Sequence, residues 1–131
     1  MSGTNVEAVR QIYEGWARGD FRAGVSLYDP DVVLVLRPEF PEAGTYRGPE
    51  EIRRYMREDF LRDLDEASIA GNEFLDAGDC VVVHVTQRGT GPGSRLPVAM
   101  SYYQVWTLRD GLVVRIESIR TRREALEAAG L

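Results

Sequence analysis

The sequence predicts an α+β fold, with three amino-terminal helices packed on one face of a curved, mainly antiparallel sheet and a short helix at the carboxyl end. Apolar residues recur at helical spacing in the first half of the chain, whereas in the second half they alternate with polar residues as in half-buried strands. The clearest alternation is interrupted by Arg109-Asp110-Gly111, which is typical of a tight hairpin turn. A sheet arched over helices in this way leaves a cone-shaped space between the two layers.

Three helices are predicted before the main run of strands. A capping box begins at Thr4, and its helix extends to about Ala17. Asp20 is placed to cap a second, short helix that extends to Tyr28, and Pro49 begins a third. The apolar faces of the three helices are Val6, Val9, Ile12, Tyr13 and Trp16, then Phe21, Val25 and Tyr28, then Ile52, Tyr55, Met56, Phe60 and Leu64.

Five strands are predicted from β-branched and alternating residues. They cover residues 32–37, 69–75, 80–88, 98–108 and 112–120, with a further short strand near Thr45 in the loop at 38–48 and a glycine-rich hairpin tip at 89–93. On the last strand, Leu112, Val114 and Ile116 are predicted on one face and Arg115 and Glu117 on the other. Thr121 is the predicted cap of the terminal helix.

Length and charge limit the functional classes. A chain of 131 residues suits one domain, spanning residues 1–131. Its net charge of −5 argues against nucleic acid as a partner, and we favour a solvated face for the basic cluster that includes Arg115, Arg120, Arg122 and Arg123. No apolar run approaches the ~20 residues of a membrane span, and no signal segment is apparent, so a cytoplasmic protein that does not bind membranes is expected.

The residues that most often bind metals are scarce. Cys80 and His84 are the single cysteine and the single histidine, too few for a four-ligand zinc site. The spacing of the Asp and Glu residues matches no motif of a carboxylate-rich metal site. We therefore expect no metal ion and no organic cofactor.

Five segments together resemble the SnoaL-like branch of the nuclear transport factor 2 superfamily. They are 13–20 (YEGWARGD), 28–32 (YDPDV), 44–48 (GTYRG), 106–111 (WTLRDG) and 124–131 (EALEAAGL). Relatives in this branch include polyketide cyclases, ketosteroid isomerases, epoxide hydrolases, binding proteins and many members without an assigned activity. The resemblance implies a cone-shaped pocket between helices and sheet, and commonly a homodimer formed through the outer face of the sheet.

The resemblance also suggests which catalytic groups are missing. Isomerase members carry a tyrosine on the first helix, an aspartate base at the end of the first strand and an aspartic acid on the penultimate strand. Counting along this chain places Ile12, Leu36 and Gln104 at those positions. Leucine cannot remove a carbon-bound proton, so the chain is not expected to be a ketosteroid isomerase. Where cyclase members carry an aspartate after the last strand, this chain has Thr121, which we interpret as a helix cap.

Positions are predicted for three further polar residues, and two of the three keep an alternative interpretation. Alternation favours an outer-face position for His84, with a general base as the alternative, and an outer-face ion pair for Glu117. Gln104 is either a polar group at the cone floor or a buried amide satisfied by a tyrosine or the backbone.

We expect the cone to bind a small, largely apolar or aromatic molecule. Its predicted contacts are Ile12, Trp16, Tyr28, Leu36, Tyr55, Phe60, Gln104 and Trp106. The alternative is a cofactor-independent isomerase, cyclase or hydrolase acting on a polyketide-, steroid- or terpenoid-like substrate. No residue stands out as the catalytic base, so the sequence leaves the catalytic residues unassigned.

Overall fold

The computed structural model describes residues 2–60, 65–91 and 97–131, and the side chains of all of these except 2, 59, 60, 65, 66, 97 and 98. The helical segments are α1 (Ser2–Ala17), a 3-10 turn (Val25–Leu27), α2 (Gly48–Tyr55), a π turn (Met56–Phe60) and α3 (Arg122–Ala128). The strands are β1 (Tyr28–Leu36), β2 (Gly44–Arg47), β3 (Asp65–Ala77), β4 (Cys80–Thr90), β5 (Pro97–Arg109) and β6 (Leu112–Ile119).

The six strands form one open, mixed sheet in the order β2-β1-β6-β5-β4-β3. Strands β1 and β6 are parallel, and every other neighbouring pair is antiparallel. Helices α1 and α2 cover one face, here called the inner face, and α3 packs on the opposite, outer face. The α+β architecture predicted from the sequence is confirmed.

Each face of the sheet carries an apolar cluster. The inner cluster is the main core and joins buried residues of α1, such as Val9 and Trp16, to inward residues of the central strands, such as Val83 and Trp106. The outer cluster is small and lies under α3, with Val82, Val105, Ile119 and Ala125 as its buried members. Adjacent strand residues therefore belong to different clusters, because successive side chains of a strand point to opposite faces.

Helix α1 begins at Ser2, so the prediction of Thr4 as its cap is wrong. Neither Ser2 nor Gly3 excludes helical backbone, and the helix continues through them. At the other end the prediction is confirmed: the helix stops at Ala17, and Gly19 turns the chain with a φ of 82°.

The second predicted helix is reduced to the 3-10 turn at Val25–Leu27. Gly24, just before it, has a φ of 88°, which a right-handed helix cannot contain. A Cβ at this position would lie 2.6 Å from Cγ1 of Ile12, so the chain crosses α1 at a point where only glycine fits. Tyr28 then begins β1, and Asp29, Pro30 and Asp31 lie within that strand instead of ending a helix.

The hairpin between β5 and β6 has the predicted turn but an unpredicted bulge. Asp110 and Gly111 have positive φ values of 52° and 80°, as a two-residue turn of this hand requires. Leu108 pairs with Val113 and Thr107 pairs with Arg115, which leaves Val114 as an extra residue. Because of the bulge, Val113 faces the core with Ile116, and the predicted inward alternation of Leu112, Val114 and Ile116 is wrong.

The remaining elements follow the predictions with shifted ends. The short strand near Thr45 is β2, and Pro49 lies in the first turn of α2. Strands β3, β4 and β5 are longer than predicted, since pairing continues to the ends of their hairpins. The predicted positions of Leu64, Pro92 and Gly93 lie outside the described residues.

A cavity between the helices and the inner face

A cavity of about 260 Å³ lies between the inner face of the sheet and the segments that cover it. Its walls are mostly apolar: Trp16, Phe21, Val25, Leu34, Leu36, Phe40, Ile52, Met56, Ile69, Met100 and Ile116. Polar side chains also line it: Tyr28, Glu42, Arg53, Tyr55, Gln87, Tyr102, Gln104 and Ser118. The volume lies just below the range of about 300–1,000 Å³ that is typical of small-molecule sites.

Five of the eight residues predicted from the sequence line this cavity, namely Trp16, Tyr28, Leu36, Tyr55 and Gln104. The predicted contacts of Ile12 and Trp106 are not found. Ile12 packs beneath Gly24, and Trp106 is fully buried behind the wall with its indole against Tyr13. The side chain of Phe60 lies outside the part of the chain whose side chains are described.

A chain of buried hydrogen bonds connects α1 to the cavity floor. The indole Nε1 of Trp106 donates to the hydroxyl of Tyr13 over 2.9 Å, and that hydroxyl donates to Oε1 of Gln104. The Gln104 amide nitrogen in turn donates to Oγ of Ser118 on the neighbouring strand, over 3.2 Å. Both interpretations of Gln104 therefore hold, because it is a buried amide satisfied by a tyrosine and it also lines the cavity.

Counting along α1 placed Ile12 at the tyrosine position, and the α1 tyrosine that bonds Gln104 is its neighbour Tyr13, which does not itself line the cavity. Both side chains belong to the inner cluster, so the prediction missed the hydrogen bond of Tyr13 and not its face. The spacing from Trp16 was the available signal, since positions three apart share a helix face. Ser118 was also missed, because a short polar residue on a strand carries no pattern that distinguishes an inward from an outward position.

The buried phenols of the cavity region are neutral hydrogen-bond donors. Burial raises the pKa of Tyr13 well above its usual value, although the donated bond from Trp106 partly opposes this. Burial likewise raises the pKa of Tyr28 and of Tyr102. The hydroxyl of Tyr102 donates to Oε1 of Gln87 over 3.0 Å. None of these groups is a base at neutral pH.

Carboxylates are absent from the floor of the cavity among the residues that the structure describes. Glu42 is the one acid in the described lining, and it is half-buried. Leu36, at the end of β1, offers only methyl groups to the cavity. The geometry therefore gives the floor neutral donors and acceptors and no group that accepts a proton readily.

His84 and Glu117 lie on the outer face. His84 stacks against Tyr103, with ring centroids 5.0 Å apart, and its Nδ1 lies 3.3 Å from the side-chain nitrogen of Asn72. Glu117 is bonded to Nε of Arg37 over 2.9 Å and lies 3.4 Å from Arg115. Both positions agree with the alternation of their strands, and neither side chain lines the cavity.

Thr121 caps α3, as the sequence predicted. Its hydroxyl oxygen accepts a hydrogen bond from the backbone N–H of Glu124 over 3.3 Å. The nearby arginines are paired with acids. Arg122 contacts Glu73 over 2.6 Å, and Arg123 lies 3.5 Å from Glu127.

In the part of the chain that the structure describes, no three His, Cys, Asp or Glu side chains are grouped to hold a metal ion. Across the same described ranges, no helix combines the length and the apolar character needed to cross a membrane.

This architecture, with helices and an open mixed sheet enclosing an inner cavity, is the α+β cone of nuclear transport factor 2-like proteins. The family model described as SnoaL-like domain matches residues 9–116, and the chain belongs to that family. No curated protein matches the chain significantly.

Solved structures match the chain over nearly its whole length. A nuclear transport factor 2-like protein of unknown function from Burkholderia pseudomallei is 24% identical, with 98% of each chain covered and a TM-score of 0.77. TerC, co-crystallised with polyporic acid, is 26% identical, with 98% of this chain and 99% of that chain covered and a TM-score of 0.75. A putative SnoaL-like polyketide cyclase from Jannaschia sp. is 21% identical, with 98% and 92% covered and a TM-score of 0.73.

Proposed function

We propose that the protein binds a small, largely apolar or aromatic molecule in its inner cavity. The observation that carries this proposal is the lining, which combines aromatic and aliphatic walls with a neutral polar floor at Gln104 and Ser118. Away from Glu42 and Arg53, such a lining favours an uncharged, mostly apolar ligand, because burial penalises charge while apolar contact is favourable. The co-crystal of TerC with polyporic acid supports an aromatic ligand in a chain of this fold.

Ligand binding is testable with the intrinsic fluorescence of Trp16 and Trp106, the two tryptophans of the chain. Trp16 lines the cavity, so 9-fluorenone, an uncharged aromatic compound that absorbs where tryptophan emits, should quench its emission saturably when bound there and raise the melting temperature. Met100→Trp adds bulk inside the cavity and should abolish the stabilisation. Arg109→Trp adds the same bulk at the exposed hairpin end of the same strand, away from the cavity and from the middle of the outer face, and serves as the matched control. Equal binding by both variants would contradict the proposed site.

The alternative is a cofactor-independent isomerase, cyclase or hydrolase acting on a polyketide-, steroid- or terpenoid-like substrate. The name of the Jannaschia relative supports a cyclase, and hydrogen-bond donors at the floor are suited to stabilising an enolate. The neutral floor favours binding without catalysis. Conversion of a bound compound, followed by chromatography and abolished by Met100→Trp, would support the enzyme instead.

The resemblance also supports a homodimer formed through the outer face, and a cytoplasmic location is the accompanying prediction. A homodimer should show twice the 14.7 kDa mass of the chain in light scattering. His84→Glu, in the middle of the outer face, should weaken it, whereas Arg109→Glu at the hairpin end should not. A monomer at all concentrations would contradict the dimer.

A further inference from the structure

Glu42 is the only acid in the described lining of the cavity, and its carboxylate has no counter-ion there. The side chain is half-buried, and its carboxylate forms neither a hydrogen bond nor an ion pair with any residue that the structure describes. Arg53, the other charged residue of the described lining, is exposed and is paired with Glu50, an acid outside the lining. A carboxylate that is partly removed from water without a partner favours a ligand group that carries hydrogen-bond donors and positive charge.

The backbone that carries this carboxylate is held by contacts on both sides of it. The hydroxyl of Tyr46 donates to the carbonyl oxygen of Glu42 over 2.7 Å. Two residues before Glu42, the buried ring of Phe40 packs edge-on against Tyr102, with ring centroids 5.3 Å apart. The carboxylate therefore extends into the cavity wall from an anchored segment of the chain.

Aromatic rings line the cavity together with this carboxylate. Phe40, Tyr55 and Tyr102 all belong to the lining, and Tyr55 packs against Tyr46 with ring centroids 4.6 Å apart. Aromatic rings attract cations through their π faces, and a carboxylate supplies the opposite charge. The combination favours an organic cation over a neutral or an anionic group, and the net charge of −5 on the chain acts in the same direction.

We infer that the molecule held in this cavity is an amine with a largely apolar or aromatic body, bound in its protonated form with its ammonium group against the carboxylate of Glu42. This inference rests on the proposed function and narrows its ligand class. The apolar body contacts the aliphatic and aromatic walls, and the ammonium group supplies the donors that a carboxylate cannot supply itself. Glu42 is then the residue that determines specificity for the amine.

The experiment compares two probes of nearly equal size, 2-naphthylmethylamine, which is protonated at neutral pH, and 2-naphthylmethanol, which is uncharged. Dissociation constants are measured by isothermal titration calorimetry. The wild type should bind the amine about tenfold more tightly than the alcohol, since one charge-assisted hydrogen bond contributes roughly that factor. In Glu42→Gln the preference should fall to about one, with the affinity for the alcohol unchanged. Glu39→Gln, which neutralises an exposed acid of the same loop outside the described lining, should retain the preference.

The outcomes separate the two proposals. Equal affinities of the wild type for the two probes, a preference that persists in Glu42→Gln, or an equal fall in Glu39→Gln overturns the role of Glu42 and leaves the binding cavity intact. Failure of the amine to bind while 9-fluorenone binds overturns it as well. Binding of none of the three compounds contradicts the cavity proposal and the inference with it. Because the carboxylate makes no bond to the described residues, Glu42→Gln without ligand should keep the melting temperature of the wild type.

Discussion

The indole nitrogen of Trp106 on β5 donates to the hydroxyl of Tyr13 on α1, 2.9 Å away. The same hydroxyl donates a hydrogen bond to Oε1 of Gln104, which lies two residues before Trp106 on β5. One phenol therefore satisfies two buried polar groups and joins the first helix to the centre of the sheet.

Tyr13→Phe should lower the free energy of unfolding by about 2–4 kcal/mol, because it leaves the Trp106 N–H and the Gln104 oxygen buried without partners. Urea denaturation followed by circular dichroism measures the change. Tyr28→Phe removes the same atom from a phenol without a described partner and should cost much less. Similar losses in the two variants would show that the hydrogen-bond chain contributes little.

Alkaline pH should destabilise the fold through its buried phenols. Burial raises the pKa of Tyr28 and Tyr102 above the value of about 10 in the unfolded chain, so the unfolded state loses protons first. The stability is therefore fully present below that pH and is lost as pH rises towards the folded pKa. The chain has no lysine, which leaves few other groups titrating in this range.

The measurement is the unfolding free energy between about pH 9 and 11. Each raised phenol should contribute a downward slope of up to about 1.4 kcal/mol per pH unit, so Tyr28→Phe should show a shallower fall than the wild type. Parallel curves for the two proteins would mean that Tyr28 ionises as readily in the folded state as in the unfolded one.

Leu36→Asp should introduce a carboxyl whose pKa is raised by burial in an apolar wall. The folded state then retains a proton that the unfolded state releases above pH ~4, so stability should fall as pH rises from there to neutrality. The expected loss at neutral pH is about 2–4 kcal/mol. Leu36→Asn, which has a similar shape and no ionisation, should show a loss that does not vary with pH.

The same substitution tests which catalytic group is missing. Wild-type protein should not isomerise a β,γ-unsaturated ketosteroid, because Leu36 cannot remove its proton. The absorbance of the conjugated enone product gives the rate. Activity gained by Leu36→Asp would identify the base as the missing group, and activity in the wild type would overturn the exclusion.

The outer-face ion cluster should contribute measurably to stability. Glu117 is largely buried, with 13% of its side chain exposed, and is bonded to Arg37 over 2.9 Å. Glu117→Gln should therefore lower the free energy of unfolding by about 1 kcal/mol at low salt and by less at high salt. Glu127→Gln removes the acid of an exposed pair with Arg123 and should cost about 0–0.5 kcal/mol.

The sequence predicted the class of fold because its two periodicities are strong: apolar positions three and four apart before residue 60, and alternation after residue 80. Local changes in backbone conformation could not be predicted from these periodicities. The second helix is shortened where Gly24 packs closely against Ile12. Such a contact joins segments that are distant in the sequence, so no local sequence pattern predicts it. The apolar face of the first helix was predicted, but the hydrogen bond that Tyr13 makes from that face was not.

The sequence predicted most of the apolar walls of the cavity but not the hydrogen bonds among its polar side chains. Trp16, Leu36 and Gln104 could be found because large side chains at inward positions must line any space beneath the sheet. The pairing of Gln104 with Tyr13 and Ser118 depends on strand register and on the height of α1, which the periodicities do not determine.

The bulge at Val114 determines which side chains of β6 point towards the cavity. If the hairpin zipped from its turn without that additional residue, Arg115 would stand opposite Trp106 and Glu117 opposite Gln104. The chamber would then hold a cation and an anion where it now holds a methyl-rich side chain and a serine. One unit of strand slippage would thus exchange an apolar and a neutral polar side chain of the cavity wall for a charged pair.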